Sequence, residues 1–128
     1  MTKLQENVAA CAPLPSQYAA IEALSGKDDY SANMVNIFTK RRNILVKGIN
    51  NISKLSCETP EATFYLMVDI SGTGMKSEEL KTVHVAVVPG ITYGRSCDNY
   101  VRMAFTLKED KIQEGMKRIQ TFINQFFL

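Results

Sequence analysis

The side chains able to do chemistry in this 128-residue sequence are few and scattered. Arg102 stands in Tyr100-Val-Arg-Met-Ala-Phe-Thr106, where strand alternation gives it one face with Tyr100 and Ala104, opposite Val101, Met103 and Phe105. A guanidinium can offer a carboxylate two parallel N–H donors and keeps its charge at ordinary pH; a lysine would supply the charge without the fork. An arginine on a strand is also commonly a solvated outward residue, and the pattern alone leaves both readings open. His84, the only histidine, falls in Val83-His-Val-Ala-Val-Val88, where a hydrogen-bonded structural role is expected. Asp69 follows a strand core and can cap a turn. Cys11, Cys57 and Cys97 form no CxxC pair and have no histidine at zinc-site spacing, which argues against a metal. Cys97 lies in a polar loop with no acid–base partner beside it in sequence, so no catalytic thiol is expected.

The elements that must position these groups are legible from periodicity. Asn7 to Pro15 carries two prolines and is expected to be extended or irregular. A short helix then runs through Gln17–Leu24, with Gly26 placed to end it. A longer helix, roughly Tyr30 to Ile52, repeats Met34, Ile37, Phe38, Ile44, Leu45, Ile49 and Ile52 at three- and four-residue steps. Gly48 within it is a weak point or a close-packing site. Three strands follow: Thr63–Ile70, Val83–Val88 (stopped by Pro89-Gly90) and Tyr100–Thr106. Thr106-Leu-Lys-Glu109 reads as a capping box for a last helix with Ile112, Met116, Ile119, Phe122, Ile123 and Phe126 on one face. The fold class is therefore α+β: a small mixed or antiparallel sheet of about three strands, packed by a long helix and a C-terminal helix.

Bulk properties exclude more than they assign. Hydrophobic residues make up 45% and charged residues 22%, ordinary for one globular domain of this length. A net charge of +2 gives no case for nucleic acid or a membrane surface, and Lys40-Arg41-Arg42 reads as a solvated helix face. No apolar run approaches a membrane span, and Met1 to Pro13 shows no signal-peptide pattern. The expected setting is the cytoplasm, with reduced thiols.

Five stretches, in this order, resemble the fold-type I pyridoxal-phosphate-dependent aminotransferases, in the aspartate, alanine and aromatic aminotransferase subgroup. They are Gln17-Tyr-Ala-Ala-Ile-Glu-Ala-Leu24, Phe38-Thr-Lys-Arg-Arg42, Pro60-Glu-Ala-Thr-Phe-Tyr65, Val85-Ala-Val-Val-Pro-Gly90 and Tyr100-Val-Arg-Met-Ala-Phe105. The resemblance implies that residues 1–26 are a remnant of the large cofactor-binding domain, 27–52 the bridging helix and 53–128 the C-terminal small domain. It also implies that Arg102 matches the family's arginine for the substrate α-carboxylate. Pro89 to Gly94 resembles the loop leading to that arginine, with Tyr93 at an aromatic position. Ser96-Cys-Asp-Asn99 replaces the glycines common there, and no ligand contact is carried to the loop.

The resemblance further implies pyridoxal phosphate as cofactor, an amino acid and a 2-oxo acid as substrates, and a homodimer. The family's Schiff-base lysine, pyridine-pairing aspartate and phosphate-binding turn lie upstream of the segment matching Met1, and none of the ten lysines stands in the family's lysine motif. The chain is expected to hold no cofactor residue and no catalytic residue, and to be inactive alone. A non-catalytic binding or interaction module derived from the same domain is the alternative. Between Leu80 and Val83 only Lys81-Thr82 remains where the family continues a helix, so exposed apolar surface and self-association are expected.

Overall fold

The computed structural model describes residues 2–9, 11–26, 30–80 and 84–127. Two compact units divide the chain, residues 1–33 and 34–128. In the first, α1 (Thr2–Val8) and α2 (Leu14–Ser25) bury no residue. The expected irregular stretch is thus partly helical: Pro13 precedes α2 and Pro15 lies in its first turn, where a missing N–H costs nothing. Gly26 does close α2, its N–H donating to Glu22 O. Leu14, Tyr18, Ile21 and Leu24 recur at helical spacing and are all exposed.

The second unit is built on an antiparallel three-stranded sheet in the order β1-β3-β2, with β1 Tyr65–Asp69, β2 Val88–Pro89 and β3 Tyr100–Ala104. The register sets Met67 and Val88 on either side of Arg102 and pairs Tyr65 with Ala104. A bridge between Ser56 and Asp69 runs along the outer side of β1. Leu66, Val68, Ile70, Val101, Met103 and Phe105 point to one side and are buried. They pack in one core with Leu45 and Ile49 of α3 (Tyr30–Asn50) and Ile112, Met116, Ile119 and Ile123 of α4 (Glu109–Phe127). The two helices come so close that a Cβ on Gly48 would lie 2.8 Å from Met116 Cγ, which settles Gly48 as a close-packing site. The α+β class and the antiparallel sheet agree with the sequence pattern.

Several local expectations are corrected. The first strand starts at Tyr65, not Thr63, because Thr63 takes a left-handed φ of 72° that interrupts extension. The second is two residues long; His84 sits outside it, exposed, with φ 55°, and its carbonyl accepts from Arg118 Nη1. Lys81 to Val83, where the family helix is cut short, lies outside the described residues. The capping box does not form: α4 begins at Glu109, and its first turn closes on Lys108 O. Thr106 O instead accepts from Arg41 Nη1 at 3.0 Å, and Glu109 pairs with Arg41 at 3.4 Å. Arg41 and Arg42 are therefore not a solvated face. Both are half-buried, and Arg42 Nη1 reaches Pro60 O at 3.0 Å.

Phe105 anchors this unit, fully buried and edge-on to Phe38 of α3 at 6.1 Å. Phe105→Ala should lower the unfolding free energy in urea by roughly 3–5 kcal/mol. Thr106→Ala should change it by no more than about 0.5 kcal/mol, because the hydroxyl caps nothing; a loss near 1 kcal/mol would restore the cap.

Candidate functional site

The outward face of the sheet carries Tyr65, Met67 and Asp69 from β1, Val88 from β2, and Tyr100, Arg102 and Ala104 from β3. Arg102 is half-buried at its centre, on the strand that has a neighbour on both sides. Its Cζ lies 4.9 Å from the Tyr65 ring centroid and 5.3 Å from that of Tyr93. Tyr65 is the diagonal cross-strand neighbour, one of the pairs a long side chain can reach. Among the described residues, no group accepts a hydrogen bond from the guanidinium. A guanidinium drawn to aromatic rings by cation–π attraction keeps N–H donors that can still fork onto a carboxylate.

Tyr93 comes from the connection between β2 and β3. This connection is two successive 3-10 turns, Gly90–Tyr93 and Arg95–Cys97, joined at Gly94 with φ 126°. Gly90 is required by close approach: a Cβ there would overlap the carbonyl oxygens of Cys97 and Tyr100, which are backbone atoms with nowhere to move. Thr92 Oγ1 donates to Pro89 O within the first turn. At the far end Asp98 receives Ser77 Oγ at 2.9 Å and lies 3.5 Å from Lys76 Nζ. The Ser77 hydroxyl first, and the Lys76 charge behind it, hold the Asp98 carboxyl below its usual range.

Of the sequence candidates, Arg102 and Tyr93 are brought together; His84 is not with them, and Cys57 lines a hollow with Met67, Asp69 and Tyr100 of this face. Asp69 caps a turn, accepting from Ser71 N at 2.8 Å. Cys57 is half-buried, and burial pushes its thiol up, away from the reactive thiolate. Tyr65, Ser77 and Asp98 escaped the sequence reading. Tyr65 carried a signal, an aromatic on the polar side of an alternating strand; Ser77 and Asp98 carried none, being 21 residues apart. No group of acidic, cysteine and histidine residues among the described ones could hold a metal.

The second unit is an α+β fold that presents an arginine between two tyrosines on one face of its sheet, and comparison with known proteins gives the family. The chain belongs to the aminotransferase class I and II family, whose model matches residues 1–119. It is 35% identical to an aspartate aminotransferase of Pyrococcus horikoshii over 127 residues, 94% of this chain and 32% of that one. The solved aromatic aminotransferase of Pyrococcus horikoshii OT3 superposes with a TM-score of 0.86 at 31% identity, covering 96% of this chain and 35% of that one. A PLP-bound protein assigned as an aminotransferase, from Clostridium difficile 630, matches at 27% identity with a TM-score of 0.71 over 80% of this chain and 28% of that one. The chain thus spans about a third of the length of the relatives it matches. Pyridoxal phosphate is the cofactor of the family. No described helix is long and apolar enough to cross a membrane.

The Asp98 shift has a testable sign. A carboxyl whose folded pKa is depressed contributes stability above the ordinary carboxylate range and loses it as pH falls through the depressed value. Ser77→Ala should raise the Asp98 pKa toward the ordinary value in a 13C carboxyl titration, and Lys76→Ala should raise it less. The stability gap between Ser77→Ala and the unaltered chain should be widest above the ordinary carboxylate range and narrow in acid.

Proposed function

We propose that this chain is the C-terminal, small-domain part of a pyridoxal-phosphate-dependent aminotransferase that moves an amino group between an amino acid and a 2-oxo acid, with Arg102 gripping the α-carboxylate. The observation that carries the reading is the half-buried guanidinium, close to two tyrosine rings, with its N–H groups given to no described residue. A carboxylate matches the fork that those N–H groups offer. In this reading residues 1–26 belong to the large domain, 27–52 are the bridging segment that holds α3 (Tyr30–Asn50), and 53–128 are the small domain. The exposed apolar stripe of α2 supports the first assignment, since a helix that buries nothing lacks the surface it packs on.

The residues around Arg102 do not suit the cofactor itself. A Schiff base needs a lysine, and β1, β2 and β3 carry none. The chain supplies the carboxylate end of the substrate site, the large domain supplies the cofactor site and the proton-moving lysine, and the whole enzyme is a homodimer. Arg102 binds and orients; it moves no proton.

The test joins this chain to the large-domain part of the Pyrococcus horikoshii aspartate aminotransferase in place of that enzyme's own C-terminal third. Transamination should appear in the hybrid and be absent from the chain alone. Arg102→Lys in the hybrid should lower kcat/KM by about 10- to 100-fold, the value of a charge-assisted hydrogen bond, mostly through KM. An active hybrid indifferent to Arg102→Ala would remove the assignment. Amino-acid binding by the chain alone, lost in Arg102→Ala and without turnover in the hybrid, would instead make it a binding module.

A further inference from the structure

The two rings over Arg102 are held in different ways. Tyr65 belongs to β1 and is fixed by the sheet ladder, whereas Tyr93 projects, half its surface exposed, from the turns that join β2 to β3. What holds those turns is Ser77, whose side chain is completely enclosed. Its hydroxyl accepts from Ile91 N at 3.3 Å and donates to Asp98 Oδ1 at 2.9 Å, and its own N–H donates to Asp98 O at 3.0 Å. One hydroxyl used in both roles therefore reaches Ile91 on one side of Tyr93 and Asp98 on the other.

We propose that Ser77 and Asp98 are positioning residues for Arg102, clamping both ends of the 90–98 connection so that Tyr93 stays over the guanidinium and fixes the plane in which its N–H groups meet a carboxylate. The proposal rests on the carboxylate reading of Arg102 for its effect on binding. It does not rest on it for the clamp itself. The hydrogen bond, not the ion pair, is the working contact: Lys76 is 65% exposed, and an exposed pair is screened and weak. A neutral acceptor at position 98 is therefore sufficient. Asp98→Asn should retain the clamp, and Asp98→Ala and Ser77→Ala should lose it.

The experiment follows the Arg102 Nε–Hε and Cδ proton resonances of the 128-residue chain by NMR, with L-aspartate as the probe. In the unaltered chain these protons should be shifted upfield by the ring currents of Tyr65 and Tyr93. The shift should shrink in Ser77→Ala and Asp98→Ala and persist in Asp98→Asn, with amide protection of β1 and β3 as the check that the sheet is intact. L-aspartate should bind roughly 2- to 12-fold more weakly to the two alanine variants, the equivalent of ordering one rotamer-rich side chain anew on binding. Unchanged Arg102 shifts in both alanine variants, with the sheet folded, would overturn the proposal. If the unaltered chain binds no L-aspartate while the shifts respond as described, the clamp stands and the carboxylate assignment falls. Should the alanine variants not fold, hydrogen exchange of Ile91 in the unaltered chain decides. Protection comparable to β3 supports the clamp, and exchange at the rate of an open loop overturns it.

Discussion

The register between β1 and β3 decides which side of the sheet Arg102 occupies. With Met67 opposite Arg102 and Val68 opposite Val101, the apolar residues of both strands share the face beneath α3 and α4. Side chains alternate with a period of two, so a slip of β3 by one residue would drive the guanidinium into the core and expose Val101 and Met103. The register is therefore enforced by the core, and the position of Arg102 follows from the burial of its neighbours. The ladder is lengthened beyond both strands by Ile70 N to Asn99 O and Phe105 N to Phe64 O. Tyr65 reaches the arginine because that pairing sets it diagonally across the ladder, whereas Tyr93 reaches it from the connection between β2 and β3.

What could be read from the sequence was whatever depends on near neighbours. The long helix is found at Tyr30–Asn50, against an expectation of Tyr30 to Ile52, because its stripe repeats through Leu45 and Ile49. The α4 stripe and the alternation that sets Arg102 against Val101 and Met103 were equally local signals. The failures share a cause. Val83–Val88 has the composition of a strand, yet among the described residues there the pairing with β3 is confined to Val88 and Pro89, since composition does not report the left-handed backbone at His84. Thr106 to Glu109 has the spacing of a cap, but Arg41, 65 residues earlier, takes the Thr106 carbonyl. The same Arg41 and Arg42 looked solvated because their partners, Glu109 and Pro60, lie far along the chain. The candidate site divides in the same way: Arg102 was visible, and the serine and aspartate behind Tyr93 were not.

The exposed apolar residues are unevenly placed. Most stand in the first 37 residues, on α1, α2 and the opening turns of α3, while the later part of α3 and all of the sheet but Tyr100 keep theirs at least partly buried. A chain spanning about a third of its relatives' length keeps a complete core in residues 34–128 and an N-terminal pair of helices with none. Membership of the aminotransferase class I and II family accounts for the first; the second matches the proposal that those helices belong to a larger neighbour.

The margins of the sheet have a further meaning. A strand edge with unpaired N–H and C=O groups is a template on which another chain can add a strand. Here the outer side of β1 is partly taken by Ser56, which exchanges hydrogen bonds with Asp69 at 2.8 and 3.1 Å. On the opposite side β2 is only two residues long, and one of them, Pro89, has no N–H to give. The sheet is blunted at both sides against growth by backbone pairing. Strand addition at these margins is therefore disfavoured, and an association that avoids them depends on side-chain surfaces, hence on sequence and shape.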